Sequence, residues 1–177
     1  MCEITGFPFI SQKKENDCWV ACASMLFEYL TGESAPAVNS ERDKQGSAIA
    51  LLDTWLTEKT KKDYSKEFQA DSHAVMTLEE IRKQITGENN VGKPMPILCC
   101  TAKKKPDTEL DKRTGRYEQS LEVQNGHWII ITGVNEGAGT IQVADPGQSG
   151  IEWVKYNKEK YLGVLYWHSS TYTDIPV

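Results

Sequence analysis

Apolar positions recur along this chain at two different periods, and the change from one to the other divides it. From Cys18 to Leu30 (Cys-Trp-Val-Ala-Cys-Ala-Ser-Met-Leu-Phe-Glu-Tyr-Leu) the chain is alanine-rich and apolar at helical spacing. Asp17, a residue type that caps helix starts, and Gly32, the usual type just past a helix end, predict a helix over about 18–31 with Asp17 as its cap. Ser47 to about Lys59 repeats the period through Ile49, Leu52, Trp55 and Leu56, a stripe that reads as core packing. Thr77-Leu78-Glu79-Glu80 is a capping box that opens a short helix through Ile81 and Ile85, closed at Gly87. Around these helices, residues 1–11 read as an extended arm with Phe7 and Phe9 to one side. Glu33–Gly46 reads as loop, and Lys61–Ser72 fits neither period.

From Lys93 the texture changes. Met95–Thr101 is a short apolar run after a proline, and Trp128–Val134, Thr140–Ala144, Ile151–Tyr156 and Val164–Ser169 are further strand candidates. Asn135–Gly139 is a turn-rich link between two of them, Asn157–Tyr161 allows one helical turn, and Ala102–Ser120 is a charged excursion suited to a hairpin tip. Helices first and a mostly antiparallel sheet afterwards make an α+β architecture. We expect one domain over residues 1–177, with a mainly helical half (1–92) facing a mainly β half (93–177) across a cleft.

Composition narrows the function classes. Of 177 residues, 39% are hydrophobic and 25% charged, enough for a substantial core. A net charge of −5 argues against nucleic acid as a partner, because phosphate binding needs a basic surface. No basic amphipathic helix suits a membrane surface, and no stretch approaches the ~20 apolar residues of a membrane span. The start lacks a charged segment followed by an apolar run, so no signal peptide is expected. Five cysteines without a regular framework point to free thiols and synthesis in the cytoplasm, with export by a signal-independent route leaving no mark.

The chemistry centres on Cys18. It sits where a polar loop meets a buried helix, and unpaired N–H groups in a first helical turn favour thiolate over thiol. Position alone suits a nucleophile and a small core residue equally, whereas Cys22, Cys99 and Cys100 read as core. A thiolate nucleophile needs a base, a group to orient the base and donors for an oxyanion. Of three histidines, His73 lies in a loop and His168 in the last strand candidate. His127 opens the strongest strand, after Gly126. A hairpin between that strand and the next brings His127 beside Asp145, whose carboxylate would fix the imidazole tautomer. Read alone, Asp145-Pro146-Gly147 is simply a turn. Cys99-Cys100 with a histidine lacks the spacing of a zinc site, so no metal and no cofactor are expected.

Gln12 followed after five residues by Cys18-Trp19, then Gly126-His127-Trp128 and Asp145-Pro146, resembles the papain-like cysteine peptidases. The compact bacterial branch, with its bacteriocin-leader peptidases and secreted effectors, is most similar. That resemblance implies a papain-like fold, a Cys18 nucleophile, His127 as general base and acid, Asp145 as orienter, and Gln12 donating its amide to the oxyanion beside the Cys18 N–H. It implies a protein or peptide substrate cleaved through an acyl-enzyme. For a toxin or effector it also implies a cognate immunity protein, and a housekeeping processing role fits equally well. An acyltransferase or transglutaminase-like enzyme on the same residues, and a silent binding module, are the competing readings.

Overall fold

In the computed structural model, which describes residues 1–38, 48–61, 68–70, 76–88, 92–101, 110–111, 116–117, 127–158 and 160–167, helix α1 (Cys18–Thr31) occupies the expected span. Its C-terminus is set by Gly32, whose φ of 68° is left-handed and whose N–H donates to the Glu28 carbonyl. Its N-terminus departs from expectation. Asp17 has φ −94° and ψ 12° rather than an extended cap conformation, and its carboxylate makes no capping hydrogen bond. The Asp17 N–H instead donates to the Lys14 carbonyl at 3.1 Å, closing a turn that leads into the helix.

Helix α1 packs on α2 (Ala48–Thr60), where Leu51, Leu52, Trp55 and Leu56 are buried and Phe27 meets Trp55 edge to face at 5.9 Å. Ile49, expected on that stripe, is only half-buried, so the inward face is rotated toward Leu51. Helix α3 (Leu78–Thr86) carries the expected capping box: the Thr77 hydroxyl accepts from the Glu80 N–H, and the Glu80 carboxylate accepts from the Thr77 N–H at 2.6 Å.

The strands are β1 (Cys2–Glu3), β2 (Phe68–Ala70), β3 (Ile97–Thr101), β4 (Leu110–Asp111), β5 (Arg116–Tyr117), β6 (His127–Asn135), β7 (Thr140–Ala144), β8 (Ile151–Lys155) and β9 (Tyr161–Trp167). Seven form one sheet in the order β2-β9-β3-β6-β7-β8, with β1 on β6, and every pairing is antiparallel. β6 is the axis. Ile97–Thr101 lie along its first half, β1 continues the same edge at Gly133 and Val134, and β7 runs along the other edge from Ile130 to Asn135. The sheet core (Ile97, Leu98, Cys99, Ile129, Ile130, Ile131, Ile141) merges with Cys22, Met25 and Leu26 of α1 in one buried cluster.

Four expectations are corrected. β2 lies within the stretch that fits neither period and pairs with β9, so the helical half contributes a strand to the sheet; three residues are too few to show a period. β1 converts part of the extended arm into sheet. Asn157–Tyr161 is not a helical turn throughout: Lys160 N–H closes a turn on the Asn157 carbonyl, and Tyr161 already pairs with Thr101. The last strand therefore begins at Tyr161 rather than Val164. In the charged excursion, Leu110 pairs with Tyr117 and Asp111 with Arg116, as a hairpin tip requires. His73, His168, Gly126, the rest of 102–120 and the loop residues 39–46 lie outside the described residues.

Candidate active site

The start of α1, the start of β6 and the turn after β7 meet at one point. Cys18 is in the first turn of α1 and 8% exposed. Burial alone would push its thiol up. Hydrogen bonds from the His127 ring and from the backbone N–H groups of Trp128 and Trp19, with the charge of His127, outweigh that and hold it below the usual thiol range. The Trp19 N–H belongs to the helix's own first turn, so the uncapped N–H group is used at the sulfur.

His127 is held from two sides. Its Nε2 meets Asp145 Oδ1 at 2.5 Å, and its ring also hydrogen-bonds Cys18. The Asp145 bond, then the Cys18 bond, raise the imidazole to about 9 against the opposing effect of burial. Asp145 stays below its ordinary range: burial raises it, but the bonds from His127 and the Gly147 N–H prevail. Each of the three shifts favours the charged form of its group, a thiol, an imidazole and a carboxyl group set in series. Thr101, directly across the sheet, donates its hydroxyl to the His127 carbonyl at 3.1 Å and fixes the backbone behind the ring.

Register explains the meeting. β7 ends at Ala144 opposite Ile130, so the first three residues of β6 have no β7 partner. The chain turns there, with the Gln148 N–H on the Asp145 carbonyl at 2.9 Å, and the carboxylate swings over His127. The hairpin expected from sequence thus juxtaposes the two residues.

Gln12 reaches the site through its backbone, whose N–H donates to the Pro146 carbonyl at 2.9 Å. Its side-chain Nε2 donates to the Glu15 carbonyl at 3.1 Å, and its Oε1 is enclosed without a hydrogen-bond partner. An amide nitrogen has two hydrogens, and one of them remains for a ligand. No bond joins Gln12 to Cys18. Gln12 also lines a groove of about 760 Å³, with Ile10, Trp19, Val20, Pro36 and Val38 among its neighbours there; Cys18, His127 and Asp145 do not line it.

The other thiols behave as core. Cys22 and Cys99 are wholly buried, and burial pushes both well above the usual thiol range; Cys100 is pushed up to about 11. Among the described residues, no group of three His, Cys, Asp or Glu side chains could hold a metal ion, and no helix is long and apolar enough to cross a membrane. Thr101 and the Gly147 N–H are contacts that sequence reading did not single out.

A model of the Peptidase_C39-like family matches residues 4–175, nearly the whole chain. The chain belongs to that family. Among solved structures, one described as a C39-like peptidase from Bacillus anthracis is similar in fold, with a TM-score of 0.52 at 12% identity, covering 94% of this chain and 96% of that one. No curated protein matches. The C39-like peptidase described here is thus a papain-like cysteine protease of α+β fold, as the Gln-Cys and His-Asp blocks implied.

Proposed function

We propose that the protein hydrolyses a peptide bond in a protein or peptide substrate with Cys18 as nucleophile, His127 as general base and acid, Asp145 as orienter and Gln12 as an oxyanion donor. The reading is carried by the hydrogen-bonded series Asp145–His127–Cys18, in which thiol and imidazole are each shifted toward the charged form, one negative and the other positive. The Cys18 thiolate adds to the carbonyl carbon. The developing oxyanion is met by the free amide hydrogen of Gln12 and the N–H groups at the start of α1. Collapse of the intermediate expels the amine, which takes the proton from the His127 imidazolium and leaves an acyl-enzyme. His127, now neutral, removes a proton from water, and attack of that water releases the acid and restores the thiolate–imidazolium pair.

Cys18→Ala and His127→Ala should each lower turnover by about 10³-fold or more without unfolding the protein, and the double variant should lose no more than either alone. Asp145→Ala should retain more activity than either. The assay is cleavage of a peptide library read by mass spectrometry, where the products together gain one water. Wild-type turnover by Cys18→Ala would sink the assignment, and products joined to an added amine would assign acyl transfer instead.

A further inference from the structure

The turn after β7 does more than carry Asp145. Gly147 N–H donates to Asp145 Oδ1 at 2.8 Å, the same oxygen that meets His127 Nε2. A carboxylate oxygen held from two directions cannot rotate away from the ring without breaking one bond. Gly147 is also a residue at which a side chain would crowd the Asp145 carboxylate. A Cβ there would lie 3.3 Å from Asp145 Oδ1, 3.5 Å from His127 Cε1 and 3.6 Å from His127 Nε2. Its backbone is not left-handed, so the glycine is not required by φ and the close approach is what remains to explain it.

We propose that Gly147 is a positioning residue of this site: its N–H and its bare Cα seat the Asp145 carboxylate against Nε2 of His127. The inference rests on the triad reading above. The turn also reaches the other side of the site, because the residue between Asp145 and Gly147, Pro146, accepts from the Gln12 N–H. One turn of four residues therefore sets the orienting carboxylate through its side chain and the candidate oxyanion arm through its backbone.

The test is the rate of Cys18 alkylation by iodoacetamide as a function of pH, which needs no knowledge of the substrate. In wild type, Cys18 should label selectively at about pH 6, where an ordinary thiol is almost wholly protonated. In Gly147→Ala the methyl crowds Asp145 Oδ1, which must give by a few tenths of an ångström, so the imidazolium is less well held and the thiolate fraction falls. Labelling at pH 6 should then drop about three- to tenfold, the change expected for a shift of half to one pH unit, and recover toward the wild-type rate at alkaline pH. Melting should stay near that of wild type. A Gly147→Ala profile that superposes on wild type overturns the positioning role while leaving the triad intact. Absence of selective labelling in wild type itself overturns the triad and this inference with it. A second measurement does not depend on the variant folding: hydrogen exchange at the Gly147 amide. Protection in wild type that is lost in Asp145→Ala supports the bond, and open-loop exchange in wild type overturns it.

Discussion

At Cys18, burial and hydrogen bonding pull in opposite directions, and the hydrogen bonds prevail because His127 is itself held by Asp145. The pair fixes the pH dependence. On the acid side, activity should fall as the thiolate is protonated, below the usual thiol range. On the alkaline side, it should fall as the imidazolium is lost at about 9. The two limbs belong to the coupled pair and define a bell in kcat/KM. Stability follows the same groups. The contribution of His127 is fully present below its ordinary 6.5 and fades as pH rises through about 9. That of Asp145 is present above its ordinary 3.8 and fades as pH falls through its lowered value. Melting temperature against pH should therefore be flatter in Asp145→Ala than in wild type at both ends. The pairing of His127 with Asp145 was legible from the hairpin, whereas position alone left Cys18 equally a nucleophile or a core residue, and the resemblance joined it to the other two. The role given to Gln12 rests on resemblance, since a glutamine in a polar loop looks the same whether or not it faces a site. The Gly147 contact was not legible at all: Asp-Pro-Gly is good turn sequence with or without a carboxylate to hold.

Helix boundaries were readable where local chemistry decides them. Gly32 and the Thr77–Glu80 box act within a few residues, and both behave as their residue types require. Asp17 fails for a reason that residue type does not reveal, since the preceding turn holds its backbone at φ −94° and ψ 12° rather than in the extended cap conformation. The contrast is measurable. Thr77→Ala should cost about 1 kcal/mol of unfolding free energy, the usual loss for a capping side chain. Asp17→Ala should fall within about 0.5 kcal/mol of wild type, as ordinary surface substitutions do. Urea unfolding of the two variants checks both, and equal losses would restore Asp17 as a cap.

Over the whole molecule, the α+β arrangement was evident from the change of period, but the strand order was not. β2-β9-β3-β6-β7-β8 depends on pairings between segments distant in sequence, and neither three-residue β2 nor two-residue β1 is long enough to announce itself. β1 reaches β6 where a side chain is missing: a Cβ on Gly133 would lie 3.0 Å from the Cys2 carbonyl oxygen, the Glu3 Cβ and the Gln142 Cβ at once. Gly133→Ala should destabilise the fold by about 1–3 kcal/mol, the range for overpacking. It should also make the first residues more sensitive to protease, with both effects read by denaturant unfolding and limited digestion.

The burial of Cys22 and Cys99 has a separate use. Both thiols are wholly enclosed where α1 meets the sheet, and both are held far from ionisation. A reagent that modifies Cys18 in the closed protein can reach them only when helix and sheet part. Their slow modification under alkaline conditions is thus a built-in clock for that separation, and its rate reports how often the molecule breathes between its two layers.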